Sequence, residues 1–453
     1  MRAAVVGAGP SGFYATEQLL ATGFEVDLFD ALPTPYGLVR AGVAPDHPKI
    51  KSVTRVYAKT AQHPGFRFFG GVELGGDVAR EELLARYHAV VYAVGTSSDN
   101  RLGIPGEDLA GAHAATEFVG WYNGHPAHAD REFDLGGERA VVVGNGNVAI
   151  DVARMLMLTP EEVAATDTAD HALAALASSA VREVVLLGRR GPAQAAFTNP
   201  ELLELGELAR ADVAVDSTDL ELDSVSQSWL DSEAADRTAR RNVEILRDYA
   251  ARRPSDQSHR VVLRFLRSPL EVLGDAEGHV SGLRVAVNRI ETAPDGRLHA
   301  VPTGEEEVIP CGLVLRSIGY RGVRLPGVPF DERAGLIRND GGRVVDATGT
   351  PCPGEFVVGW IKRGPSGVIG TNKKCASDTV TRIVEDRDAG RLGADARPAR
   401  DEVEAWLRGR VARLVTWDGW NSIDVHETAV GERQGRPRVK LVRVADMHAV
   451  ATA

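Results

Sequence analysis

Apolar residues in this chain fall into short runs of strand length closed by glycine or polar residues, and one arrangement of them occurs twice. Ala3–Val6 reads as a strand, Ser11–Ala21 as a helix and Glu25–Phe29 as a second strand ending at Asp30. Farther along, Ala140–Val143 reads as a strand, Asn147–Met157 as a helix and Val184–Leu187 as a strand. The stretch Pro160–Ser179, rich in Ala, Glu and Asp, delays that last strand and is expected to form one extra surface helix. Strands alternating with helices predict an α/β fold with parallel sheets. Tyr92-Ala93-Val94-Gly95-Thr96 and Ser317-Ile318-Gly319-Tyr320 each end an apolar strand with glycine and read as crossings between domains. The expected organisation is therefore residues 1–98 as the first part of one domain, 99–321 as a domain inserted into it, and 322–453 as the remainder.

Both strand–helix junctions carry a glycine-rich string, Gly7-Ala8-Gly9-Pro10-Ser11-Gly12 and Gly144-Asn145-Gly146-Asn147-Val148-Ala149. Between a strand and a helix, such a string forms a turn whose backbone N–H groups and helix dipole receive a pyrophosphate. Two strings predict two Rossmann-like domains and two dinucleotides bound at once. After the first, Asp30 stands where an acidic side chain accepts hydrogen bonds from a ribose hydroxyl; its bland reading is a surface carboxylate at a strand end. After the second, the acid is missing and Gly188-Arg189-Arg190 takes its place. Paired guanidinium groups suit a 2′-phosphate, and Ala149 at the third glycine position accompanies the same choice, so the second dinucleotide reads as NADP(H).

Composition narrows the rest. The net charge of −11 over 453 residues argues against nucleic acid, whose binding needs clustered Lys and Arg. The apolar runs are far short of a bilayer span, and Met1-Arg2-Ala3 leads straight into a strand, so a soluble cytoplasmic protein without membrane attachment is expected. The cysteines, Cys311, Cys352 and Cys375, form no CxxC pair and no metal-binding spacing, so no metal is expected. That absence also weighs against a thioredoxin-reductase-like dithiol relay and against built-in iron–sulfur centres.

Longer strings carry a family resemblance: Leu32-Pro33-Thr34-Pro35-Tyr36-Gly37-Leu38-Val39-Arg40, Gly42-Val43-Ala44-Pro45-Asp46-His47-Pro48-Lys49, Gly191-Pro192-Ala193-Gln194-Ala195-Ala196-Phe197-Thr198 and Gly359-Trp360-Ile361-Lys362-Arg363-Gly364-Pro365-Ser366-Gly367-Val368-Ile369-Gly370-Thr371-Asn372-Lys373-Lys374. Nearly end to end, the chain resembles the adrenodoxin-reductase-like ferredoxin–NADP reductases of bacterial type. The resemblance implies two Rossmann-like domains, one for FAD and one for NADP, the second inserted into the first. It implies electron flow from NADPH through FAD to a separate ferredoxin that feeds a cytochrome P450 or a similar acceptor, in a monomeric enzyme. FAD contacts are implied for Gly7, Gly9, Ser11, Gly12, Asp30, Leu38, Leu74, Trp360, Gly367, Val368 and Ile369. NADP contacts are implied for Asn145, Gly146, Asn147, Val148, Arg189, Arg190, Glu201 and Gly367. His47 and Glu204 are candidates for assisting proton movement, against the alternatives of a turn-stabilising histidine and a solvated carboxylate. The chain departs from the family at Arg101, shifted by one position, and at Cys375, where an acidic residue is usual.

Elementary chemistry supports the late segment as a flavin site. The glycines of Gly364–Gly370 let backbone approach a planar ring, and a helix starting near Val368 is expected to aim its N–H dipoles at it. Trp360 suits either a ring stacked on the cofactors or a core tryptophan. Small ferredoxins are usually acidic, so an acidic reductase needs a local basic face. Arg237, Arg240 and Arg241, at helical spacing within Asp236–Arg253, are the candidates, with a plain solvated helix as the alternative.

Overall fold

Arg2–Val6 and Ala89–Tyr92 are buried along their whole length, as strands of a sheet covered on both faces must be. The computed structural model describes all residues except Pro254, Asp256, Ala394, Asp395 and Ala453. The chain divides into a first unit, Met1–Ser98 with Asn123–Pro126 and Gly319–Ala453, and a second, Asp99–Tyr122 with Ala127–Ile318. The return to the first unit falls at Gly319, ahead of the Gly322 read from sequence. Ser317 still donates to Val143 O in the second sheet at 2.7 Å, and Gly319 then turns the chain at a φ of +97°.

The first unit is built on a seven-stranded sheet in the order Asn339–Asp340, Arg343–Val345, Pro351–Val357, Ala89–Tyr92, Arg2–Val6, Glu25–Asp30 and Phe66–Gly70. From Pro351–Val357 onward the neighbours are parallel. Val6 pairs with Phe29 on one side and Tyr92 on the other, so these strands finish together. At that edge Gly7 begins the turn into helix Pro10–Ala21, which starts with proline in its first turn and stops at Gly23, φ +86°.

Aromatic rings close one side of this unit: Phe13 stacks on Tyr57 at 4.7 Å, and Tyr36 meets Trp420 edge-on at 5.5 Å. They hold Tyr36 at φ +84°, a strained value for a side chain of that size. Its N–H donates to Ala8 O at 2.8 Å, which presses the Pro33–Leu38 loop against the first glycine string.

Beneath that loop lies a buried ion cluster. Glu427, 0% exposed, receives both ends of the Arg40 guanidinium at 2.8 and 2.5 Å, Arg438 at 3.1 Å and the Leu441 N–H at 2.8 Å. Lys440 donates to Arg40 O at 3.1 Å and to Asn123 at 3.2 Å. Burial pushes the Glu427 carboxyl up, but Arg40, Arg438 and the amide more than offset this and hold it below the ordinary range. Removing one partner of a buried pair strands the other charges, so Glu427→Gln is expected to lose about 3–5 kcal/mol in urea unfolding. Because the folded-state pKa is depressed, Glu427 stabilises the fold above the unfolded value of about 4.3 and stops doing so as pH falls through the folded value. The gap between wild type and Glu427→Gln is therefore expected to narrow below that pH.

The second unit carries six strands, all parallel, in the order Ala112–Ala114, Leu313–Arg316, Arg139–Val143, Glu183–Leu187, His259–Arg264 and Ala211–Val215. A three-stranded antiparallel sheet of Arg267–Gly274, Val280–Thr292 and Leu298–Pro310 is added to it. Helix Asn147–Met157 follows the second glycine string as expected. The single surface helix expected over Pro160–Ser179 is instead two, Pro160–Ala164 and Asp170–Ala177. Thr166 interrupts them by bonding Val163 O and the Thr168 N–H, and Val163, Ala172 and Leu176 are buried rather than exposed.

Candidate functional site

Each unit presents a glycine turn at the carboxyl ends of its parallel strands, where open α/β sheets bind ligands. A Cβ on Gly7 would lie 2.5 Å from Ala93 O, and one on Gly12 would collide with Gly7 O, so both positions require glycine for packing. Gly9 differs: a Cβ there would meet only Gly37 Cα, at 4.0 Å. Gly9 and Gly146 precede their helices in extended conformation, and no side chain caps either helix. The first-turn amides are thus left to an anion.

In the first unit, Asp30 accepts from the Ala8 N–H at 2.8 Å and the Leu32 N–H at 2.9 Å, tying the glycine string to the strand end. Burial pushes its carboxyl up to about 6, against the pull of those amides from Leu32 and Ala8. Both oxygens keep lone pairs with which to accept from a hydroxyl. Ser11 is buried, and Gly359 at φ +77° packs directly on its side chain, which brings the late segment against the first string. Trp360 follows, its ring 5.8 Å from Tyr320 in a stacked pair. Its indole Nε1 is buried without a hydrogen-bond partner among the described residues, as is Thr96 Oγ1 at the end of the neighbouring strand. Orphaned donors of this kind fit a site shaped for a polar cofactor. Leu74 is buried and Leu38 exposed. His47 is buried and precedes the short helix Pro48–Lys51, its Nε2 3.9 Å from Asp46.

The helix expected to start near Val368 starts at Thr371 and runs to Asp388. Gly367 sits at φ +78°, and the Thr371 hydroxyl takes the Val368 N–H at 3.2 Å, so Val368–Gly370 remain a turn. Arg363, unread in the sequence, braces this turn by donating to Asn372 at 3.0 Å and to Ser366 Oγ at 3.0 Å. Cys375 stands behind it, its sulfur accepting from the Gly359 N–H at 3.3 Å.

In the second unit, the glycine string and the Gly191–Thr198 segment are bonded together. Ala196 N–H donates to Asn145 O at 3.0 Å, and Thr198 N–H to Asn147 Oδ1 at 2.8 Å. The turn at Arg189-Arg190 is fixed by its carbonyls, which accept from Asn288 Nδ2 at 2.9 Å and Leu266 N at 3.1 Å. Among the described residues no carboxylate pairs with either guanidinium. Burial and the adjoining Arg189 hold Arg190 below its usual range, the condition of a cation pair suited to an anion. Glu201 and Glu204 lie on helix Asn199–Leu205, where Arg154 reaches Glu204 at 2.5 Å and Glu201 at 4.0 Å. Arg154 carries no sequence signal of this role, because it lies on helix Asn147–Met157 and its partners on a separate helix.

Of the remaining arginines, Arg101 is exposed and paired with Asp108 at 2.6 Å. Helix Arg237–Ala251 forms with Asp236 as its cap. Arg240 does not project freely from it; its guanidinium donates to Leu230 O at 2.9 Å and Ser232 O at 2.6 Å, closing the end of helix Ser224–Asp231. Arg241 pairs with Glu244 at 2.8 Å, while Arg237 is exposed. All the cysteines are free, and burial pushes the Cys311 thiol up to about 12. No helix among the described residues is long and apolar enough to cross a membrane.

Residues 1–186 match the family model described as pyridine nucleotide-disulphide oxidoreductase. The NADPH-ferredoxin reductase FprA of Mycobacterium tuberculosis is 49% identical, over 98% of this chain and 97% of that protein. A Mycobacterium bovis protein named "Probable ferredoxin/ferredoxin--NADP reductase" is 47% identical, over 99% of this chain and 75% of that protein. Among solved structures, Mycobacterium tuberculosis FprA in complex with NADPH superposes with a TM-score of 0.94 at 47% identity, covering 100% of this chain and 99% of that one.

Proposed function

Since the chain belongs to the NADPH–ferredoxin reductases, within the pyridine nucleotide-disulphide oxidoreductase family, we propose that it is an FAD-dependent reductase carrying electrons from NADPH to a separate ferredoxin. The observation that carries this reading is the contrast between the two glycine turns. One is tied to a carboxylate, Asp30, and the other stands beside two guanidinium groups, Arg189 and Arg190, that no carboxylate among the described residues pairs with. Bound FAD supplies the conversion of a two-electron hydride into the single electrons an iron–sulfur protein accepts.

The chain's own residues bind and orient. Gly9, Ser11 and the amides of helix Pro10–Ala21 hold the FAD pyrophosphate, Asp30 its ribose, and Trp360 Nε1 and Thr96 Oγ1 donate to its polar groups. Leu38, Leu74 and the Gly367–Ile369 turn border it. Asn145–Val148 hold the NADP pyrophosphate, Arg189 and Arg190 its 2′-phosphate, with Glu201 and Gly367 contributing further contacts. His47 and Glu204 assist proton movement. Free, separated cysteines, with Cys311 held as a thiol by burial, favour an external acceptor over an internal dithiol.

The test is stopped-flow mixing of the holoenzyme with NADPH, followed by ferredoxin-dependent reduction of cytochrome c. Rapid flavin bleaching and a strict ferredoxin requirement are expected; bleaching that never passes to any ferredoxin would leave a nucleotide-binding sensor as the better reading. The finer reading is a cytoplasmic monomer whose ferredoxin serves a cytochrome P450 or similar acceptor. Sedimentation of the holoenzyme and reconstitution with candidate ferredoxins test those parts.

A further inference from the structure

The segment Pro48–Thr60 differs in charge from the chain around it. The protein carries a net charge of −11, yet this stretch contains Lys49, Lys51, Arg55 and Lys59 and no acidic residue. Its two short helices, Pro48–Lys51 and Thr54–Thr60, bury only Tyr57, which stacks on Phe13 and anchors the segment to the first unit. Val53 packs half-buried against the same core, and the remaining side chains of the stretch are half-buried or exposed. Lys49, Arg55 and Lys59 are exposed, and among the described residues no carboxylate lies within ion-pair distance of them. Between them Ile50 is 39% and Val56 46% exposed. Folding explains neither feature, because these side chains contact no core and neutralise no buried charge.

Cations around exposed aliphatics, in a stretch free of acidic residues on a chain of net charge −11, have the composition of a transient docking face: an apolar centre for contact and a charged rim for steering. The helix that the sequence suggested for this task is less suited, since Arg240 and Arg241 are engaged within the protein and Glu244 and Asp248 interrupt the positive charge. Pro48–Thr60 also continues directly from the loop carrying Leu38 and His47.

We propose that the outward face of Pro48–Thr60 is the docking surface for the acceptor, an acidic iron–sulfur protein whose carboxylates meet Lys49, Arg55 and Lys59 around a contact at Ile50 and Val56. This rests on the reductase reading above. Such interfaces are small and weak, so the charges act mainly on encounter.

The test uses the flavin-loaded enzyme with Lys49→Glu, Arg55→Glu and Lys59→Glu combined. At low salt, kcat/KM for ferredoxin is expected to fall about tenfold or more, and the gap to wild type to close toward about 1 M salt, where the Debye length is about 3 Å. NADPH-dependent ferricyanide reduction and the flavin spectrum should not change. The neutral variant Lys49→Gln, Arg55→Gln, Lys59→Gln should fall between, which separates charge from damage to the helices. Unchanged ferredoxin kinetics, or equal losses with ferredoxin and ferricyanide, would overturn the proposal. So would a loss produced by Arg237→Glu with Arg241→Glu and not by the triple variant. Wild-type binding to phosphatidylserine vesicles that the triple variant loses, with ferredoxin turnover intact, would assign the face to a membrane instead. A wild type that reduces no ferredoxin at any salt would refute the reductase reading itself, whatever the variants do.

Discussion

Gly9→Val is expected to yield a folded protein that is nearly colourless after purification. Gly9 adopts φ −79° and ψ −175°, extended values open to valine, and a Cβ there approaches no protein atom closer than Gly37 Cα at 4.0 Å. The chain itself therefore has room for the side chain. The space it fills is the one through which the turn's backbone approaches a pyrophosphate, so the cost falls on FAD. Gly7 and Gly12 provide the contrast. A Cβ on Gly7 meets Ala93 O at 2.5 Å and one on Gly12 runs into Gly7 O, so alanine at either should damage the fold as well as the site. Absorbance near the flavin band, urea unfolding and FAD titration by fluorescence separate these outcomes. The melting temperature of Gly9→Val should match that of wild type stripped of FAD, because a bound ligand stabilises only what it binds. A yellow Gly9→Val protein with a normal flavin spectrum would show that this turn does not hold the cofactor.

What could be read in advance followed from local pattern. Asn147–Met157 and the valine-rich strands carry their period in adjacent residues, and the glycine strings and the Arg189-Arg190 pair announce themselves by position after a strand. The three-stranded sheet between Arg267 and Pro310 did not. Its strands mix buried and exposed positions without alternation, and a register shift between Ala286 and Asn288 breaks the period of two. The helix starts at Thr371 and not near Val368 because a hydroxyl and a left-handed Gly367 set its start, neither of which the hydrophobic pattern carries. In the site, the unread residues are those whose partners are distant in sequence: Arg154 with Glu204, Asn288 under Arg189, and Glu427 beneath Arg40. Arg240 is the opposite case. Its helical spacing was legible, but the carbonyls that occupy it come from the end of another helix.

Replacing Arg189 and Arg190 together by alanine is expected to remove most of the preference for NADPH over NADH while leaving the fold and the flavin unchanged. The turn at these residues is held by backbone carbonyls, bonded to Asn288 Nδ2 and Leu266 N, and alanine retains both. Neither guanidinium pairs with a carboxylate among the described residues, and the two disfavour one another, so stability should hold or rise slightly. A 2′-phosphate reverses that balance by accepting charge-assisted bonds from both. Each such bond is worth roughly 1.5–3 kcal/mol, so about tenfold or more in discrimination should vanish per arginine. Those contacts involve the adenosine end and not the reacting ring, and hold equally before and during hydride transfer. The loss should therefore appear as a raised KM for NADPH with kcat nearly kept, while kcat/KM for NADH moves little. Steady-state ferricyanide reduction with the two nucleotides measures all of these quantities without involving ferredoxin. A double variant that kept the wild-type ratio of NADPH to NADH would place 2′-phosphate recognition elsewhere in the second unit. A fall in kcat with both nucleotides would mean that the arginines act on the geometry of transfer and not on the choice of coenzyme.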